Sequence, residues 1–115
     1  MPVSAVNGKL VGNKVYYNVK PYDAVGLYLD YTKGDETDVT VNVLVKDEKG
    51  PDKEYPLRNR NLDPVSFTFT ESARACVPVE FPGSADTLVV EVSFKDSGAG
   101  EGTVEVYLNV SSVYK

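Results

Sequence analysis

The sequence predicts an all-β fold: a single-domain antiparallel β-sandwich, jelly-roll-like, of about eight strands. Three observations point there. Apolar and polar residues alternate with period two over several stretches, the pattern of half-buried antiparallel strands. Turn residues recur at a spacing of about ten residues, as they do in sandwiches and barrels. No stretch sustains the 3.6-residue period of an amphipathic helix. With 115 residues and no linker-like segment, residues 1–115 form one domain. By surface scaling, a chain of this size buries about two-thirds of its extended surface, enough for a core without a metal or disulfide staple.

The elements follow in order. Residues 1–13 are an N-terminal arm or a first strand, with Val3, Val6, Leu10 and Val11 as its apolar members. Residues 14–19 and 27–31 read as strands. Residues 39–45 alternate Val39, Val41, Val43 and Val45 with Thr40, Asn42 and Leu44. Residues 53–57 and 74–79 contain Pro56 and Pro78, which lack a ladder donor, so these strands belong at sheet edges. Residues 65–69 set Val65, Phe67 and Phe69 against Ser66 and Thr68. Residues 88–95 put Leu88, Val90, Val92 and Phe94 on one face and Val89, Glu91 and Ser93 on the other. Residues 103–110 put Val104, Val106, Leu108 and Val110 opposite Thr103, Glu105, Tyr107 and Asn109. Two hairpins are expected, 28–31 with 39–45 and 88–95 with 103–110, the second around the glycine-rich loop 96–102. Val41, Val43, Val90, Val92, Phe94, Val106 and Leu108 are core candidates.

Composition excludes much chemistry. Twelve Lys and Arg stand against 17 Asp and Glu, a net charge of −5, whereas a nucleic-acid binder needs a basic face. The chain has no His, so it holds no Ser-His-Asp triad and no imidazole metal ligand. Cys76 is the single cysteine, which rules out an intramolecular disulfide and fits an intracellularly assembled protein. In the apolar neighbourhood Ala75-Cys76-Val77 it reads as a small hydrophobe. No apolar run is long enough for a membrane helix, and no targeting segment is visible.

The remaining constellations are weak. Asp35, Glu36 and Asp38 could offer carboxylates to calcium, but the Asp-x-Asp-x-Asp-Gly spacing is absent and Lys33 shares the turn, so a solvated turn is expected. Gly98, Gly100 and Gly102 superficially resemble a phosphate loop but lie between strands, where no helix N-terminus is available. No GxSxG or cofactor-binding motif occurs, so no catalytic residue, metal or cofactor is assigned. The positive feature is eight tyrosines. Tyr16 and Tyr17 must point to opposite faces, so one of them faces outward, and Tyr28 and Tyr107 fall on outward-facing strand positions; tyrosine there suits protein interfaces, although half-buried sheet positions favour it in any case. Together with Tyr16, Tyr28 and Tyr107, the residues Val3, Val6 and Leu10 of the arm, Arg58 and Arg60 of a loop, and Gly98 and Gly100 are the candidate partner contacts.

The stretches Val15-Tyr16-Tyr17-Asn18-Val19, residues 27–37, Ala75-Cys76-Val77-Pro78-Val79 and residues 102–108 resemble small β-rich virion structural proteins of tailed bacteriophages. The resemblance is one of pattern and carries no functional residue. It implies a non-enzymatic capsid decoration protein, or a neck or tail accessory, made in the host cytoplasm and carried on the virion. Its expected partners are repeated copies of a shell protein, in a multicopy or homo-oligomeric assembly, without nucleic acid or membrane. The alternative reading is a small ligand- or glycan-binding β-sandwich module.

Overall fold

The computed structural model of the chain describes residues 3–20, 22, 24–47, 53–59, 61–81, 85–95 and 101–110. They contain ten strands: β1 (Val3–Ala5), β2 (Lys9–Val11), β3 (Lys14–Asn18), β4 (Ala24–Thr32), β5 (Asp38–Lys46), β6 (Tyr55–Pro56), β7 (Ser66–Phe69), β8 (Ala73–Glu80), β9 (Thr87–Lys95) and β10 (Thr103–Val110). A four-stranded sheet runs β1-β10-β4-β8, and a six-stranded sheet runs β2-β3-β9-β5-β6, with β7 also on β5. The β2–β3 hairpin occupies one place in the wrapping order, and β6 and β7, consecutive along one edge of β5, occupy another. Counted so, the order is first-eighth-third-sixth in one sheet and second-seventh-fourth-fifth in the other. That is the order of two interlocked Greek keys, a jelly roll.

Three expectations need correction. The eight strands read from residue 14 onward are present, and residues 1–13, expected as an arm or a first strand, add two short strands, which makes ten among the described residues. The fold is not wholly antiparallel, since β1 runs parallel to β10, with Val3 opposite Val104. The β2–β3 hairpin adds one reversal of direction, which turns β1 around relative to β10. Gly12 makes that tight turn at φ +62°, a backbone conformation that favours glycine. Thirdly, neither expected hairpin forms. β4 pairs with β10 and β5 with β9, so the turns after β4 and after β9 are arches from one sheet to the other. Alternation locates such strands but is silent on whether a turn returns to the same sheet.

The core lies between the sheets. Leu27, Leu29 and Tyr31 of β4 and Val104, Val106 and Leu108 of β10 face Val15 and Tyr17 of β3, Val39, Val41 and Val43 of β5, and Leu88, Val90 and Val92 of β9. Each such side chain contributes about 1.5–3 kcal/mol by burial. Tyr17 Oη donates to the Val106 carbonyl at 3.3 Å, a bond from one sheet to the other, and burial pushes its pKa up to about 12. Asn7 extends β1 beyond its last residue. Its side-chain amide donates to Leu108 O at 2.7 Å and accepts from Leu108 N at 3.3 Å, imitating a ladder partner. Pro56 and Pro78 lie in β6 and β8, the end strands of their sheets.

Phe94 is only half-buried, because it lies near the end of β9 where the sandwich opens. Val89 departs from the alternation in the other direction: it points away from the intersheet core and is fully buried. Its neighbours across the ladder are Tyr16 and Leu44. Glu54, just before β6, accepts from Lys14 Nζ at 2.9 Å and from Tyr16 Oη at 2.8 Å, a bridge that spans β9 and β5. These donors hold the Glu54 carboxyl below its usual range, and the Lys14 and Tyr16 groups are raised in return.

Candidate functional site

Strand alternation gives the four-stranded sheet an outer face. Leu27, Leu29, Val79, Val106 and Leu108 point into the core, so Tyr28, Asp30, Arg74, Cys76, Glu105 and Tyr107 point out. The register aligns them. Tyr107 lies opposite Tyr28, and Tyr28 opposite Cys76, which makes one row across three strands. Val6 N donates to Val106 O at 3.1 Å, so Val6 extends the row past the end of β1. Val6 is 60% exposed, Tyr28 41% and Tyr107 37%. The Tyr28 and Tyr107 ring centroids are 5.5 Å apart and the rings are tilted by 56°, within the range of attractive aromatic pairs. Gly26 sits two residues before Tyr28, and a Cβ placed there would meet the Tyr28 ring at 3.4 Å. The ring therefore leans over the glycine and covers backbone that no side chain of β4 shields. A shallow groove of about 550 Å³ follows this row, lined by Val6, Tyr28, Cys76 and Tyr107 and by charged Asp30, Arg74 and Glu105.

The charged residues form the next row. Glu105 lies opposite Asp30, and Asp30 opposite Arg74. Arg74 Nε approaches Asp30 Oδ2 at 3.3 Å on the exposed side, a pair worth at most about 1 kcal/mol. The Cys76 sulfur facing it across the ladder raises the pKa of the Tyr28 phenol.

Of the residues singled out in the sequence, Val6, Tyr28 and Tyr107 come together here. The others do not join them. Val3 is a core residue, 1% exposed. Leu10 is partly buried against the core from β2. Tyr16 lies on the outer face of the opposite sheet, bonded to Glu54. Arg58 donates to Leu62 O at 2.8 Å and so braces its own loop. Arg60, Gly98 and Gly100 lie outside the described residues. Cys76, read as a small hydrophobe, is exposed. Within β8 it alternates with Ala75 and Val77, which take the inward positions, and that was legible from Arg74, Cys76 and Pro78 standing two apart. Asp30, Arg74 and Glu105 carried no sequence signal, because only register brings them into one row.

The acidic turn is reorganised around one carboxylate. Glu36 is 1% exposed and points inward. Its Oε2 accepts from Tyr31 Oη at 2.5 Å and from Gly34 N at 2.7 Å, and its Oε1 from Gly102 N at 2.6 Å. Burial pushes its pKa up, but these three donors outweigh burial and hold it at about 2. Asp35 stays exposed and Asp38 joins β5, so the three carboxylates do not converge. Thr37 N also donates to Lys95 O at 2.8 Å. The Glu36 turn thus holds both ends of the second arch, Lys95 on one side and Gly102 on the other. Among the described residues no group of three or more His, Cys, Asp or Glu is placed to hold a metal ion.

No helix among the described residues is long and apolar enough to cross a membrane. Comparison with protein-family models, with curated proteins and with solved structures finds no match to this chain.

Proposed function

We propose that the chain is a non-enzymatic virion structural protein of the capsid decoration type, docking on repeated copies of a shell protein through the outer face of its four-stranded sheet. One observation carries this reading: the exposed row Val6, Tyr107, Tyr28 and Cys76, which runs from just past the end of β1 across β10, β4 and β8. Aromatic anchors at the centre of a patch with charged groups at its margin are the anatomy of protein interfaces. Rigid strands hold both tyrosines, so little side-chain entropy is lost on docking. Weak single contacts become firm occupancy when many copies face a repeating shell. The glycan-binding alternative is less well served, because rings tilted by 56° present no continuous flat platform for a sugar.

Cosedimentation with DNA-free shells of the tailed phage that carries the gene tests the proposal. The wild-type protein should pellet with shells. The Tyr28→Ala, Tyr107→Ala double variant should stay in the supernatant while melting within a few degrees of wild type. Absence of wild-type binding, or undiminished binding by the double variant, overturns the reading.

A further inference from the structure

The groove on the four-stranded sheet contains an arrangement that the domain alone does not explain. Glu105 and Asp30 are direct cross-strand partners in the β10–β4 ladder. Like charges placed directly opposite destabilise a sheet. Arg74 compensates Asp30 from the far side, at 3.3 Å. Nothing comparable serves Glu105: among the described residues its carboxylate has no ion-pair partner. One row further along the same strands, roughly 7 Å away, stand the paired rings of Tyr107 and Tyr28. A carboxylate left without a cation thus stands one row from the Tyr107–Tyr28 pair, at the margin of a groove of about 550 Å³.

We infer that this groove receives an arginine-bearing segment of the partner protein, its guanidinium lying between the Glu105 carboxylate and the Tyr107–Tyr28 pair. The inference rests on the docking reading above and names the chemistry of the partner surface. A planar guanidinium can donate two parallel hydrogen bonds to a carboxylate and stack on a tyrosine ring at the same time. Ring quadrupoles attract the cation further once water is displaced. A cation arriving at Glu105 also offsets the like charge of Asp30 across the ladder. The net charge of −5 favours the encounter with a cationic surface over long range. The apolar members, Val6 and Cys76, suit an aliphatic side chain next to the arginine better than a polyhydroxylated sugar.

Amide chemical shifts of the labelled, full-length protein test this with three probes: N-acetyl-arginine methylamide, its citrulline counterpart, and methyl glucoside. The arginine probe should shift amides at 28–30, 74–76 and 105–107 saturably, in the millimolar range expected of so small a fragment. Citrulline, the same shape without the charge, should bind about tenfold more weakly, and so should arginine to Glu105→Gln. Glu105→Gln removes a repulsion, so it should melt no lower than wild type. Equal shifts from arginine and citrulline, arginine shifts scattered over the surface, or saturation by the glucoside alone would each overturn the inference. Shell cosedimentation separates this from failure of the docking reading. If Glu105→Gln pellets like wild type while the double tyrosine variant does not, the face docks without an arginine contact. If wild type never pellets, the docking reading fails, and the probe titration alone decides whether the groove binds arginine.

Discussion

Glu36 and Gly102 depend closely on each other, since the Gly102 N–H donates to Glu36 Oε1 at 2.6 Å. A Cβ on Gly102 would meet Thr32 O at 2.2 Å, Gly34 N at 2.7 Å and Glu36 Oε2 at 2.8 Å. Two of these are backbone atoms, which cannot swing aside, so Gly102→Ala should cost about 2–4 kcal/mol in chemical denaturation. A loss under 1 kcal/mol would mean that the two arches are not in contact. Glu36→Gln puts an amide NH2 where a donor already points, and a loss of about 2–3 kcal/mol is expected. The pH dependence has a definite sign. The folded pKa of Glu36 is depressed to about 2, below the unfolded value of 4.5. Its contribution is therefore complete above about pH 4.5 and is lost as pH falls toward 2, to a limit of about 3 kcal/mol. Urea midpoints between pH 6 and pH 2.5 should fall more steeply for wild type than for Glu36→Gln. Parallel curves would assign the acid sensitivity to other carboxylates. Leu62 is a second residue with a cost. It holds φ 65° and is 73% exposed, at the tip of a loop fixed by Asn59 and Arg58. Leu62→Gly should leave stability unchanged or raise it by about 1 kcal/mol, since glycine adopts that conformation freely.

At the scale of elements, β9 shows where alternation succeeds and where it stops. Its inward series Leu88, Val90 and Val92 is fully buried, as expected. Val89, on the other face, is equally buried, because Tyr16 and the Glu54 bridge lie on that side. Val89→Ala should therefore cost about as much as Val90→Ala, roughly 1.5–3 kcal/mol, where alternation alone would make it nearly neutral. Phe94→Ala, half-buried, should cost less than the 3–5 kcal/mol usual for a core phenylalanine. Denaturation of the three variants ranks them directly. Strands β4, β5, β9 and β10 were legible because each is long enough for alternation to register. β1 and β2 were not, because three residues each carry almost no period. The proposed docking face was half legible for a related reason. Tyr28 and Tyr107 announce themselves by residue type, while Asp30, Arg74 and Glu105 acquire meaning only through the β10–β4–β8 register. The arches were misread because turn residues in a jelly roll look like those of a hairpin. β1 settles the standing of the first residues: Val3 is buried and paired with Val104. Deleting residues 2–12 should lower the melting temperature by well over 10 °C, since it removes β1, β2 and the buried Val3 together.

The described residues are held by the burial between the two sheets and, at one end, by the Glu36 carboxylate clasp. Neither requires an ion. The two Glu36 oxygens are occupied by one hydroxyl and two backbone N–H donors, all of which would have to be displaced before calcium could bind there. A cation approaching from outside would meet Asp35, with Asp38 held in the ladder beside Lys95, too few oxygens for calcium's six to eight. The apolar core, in contrast, is continuous from β1 to β10 across both sheets. Thermal melting at neutral pH should therefore be the same with and without a strong chelator. For a domain of this size 1 kcal/mol moves the midpoint by about 4–8 °C. A drop of more than about 10 °C would mean that a bound ion contributes over 1 kcal/mol of stability. Glu36→Gln would then show where it sits. If that variant lost the chelator response, the carboxylate would have to turn outward in solution and the clasp would be wrong. If it kept the response, the ion would sit elsewhere and the clasp would stand.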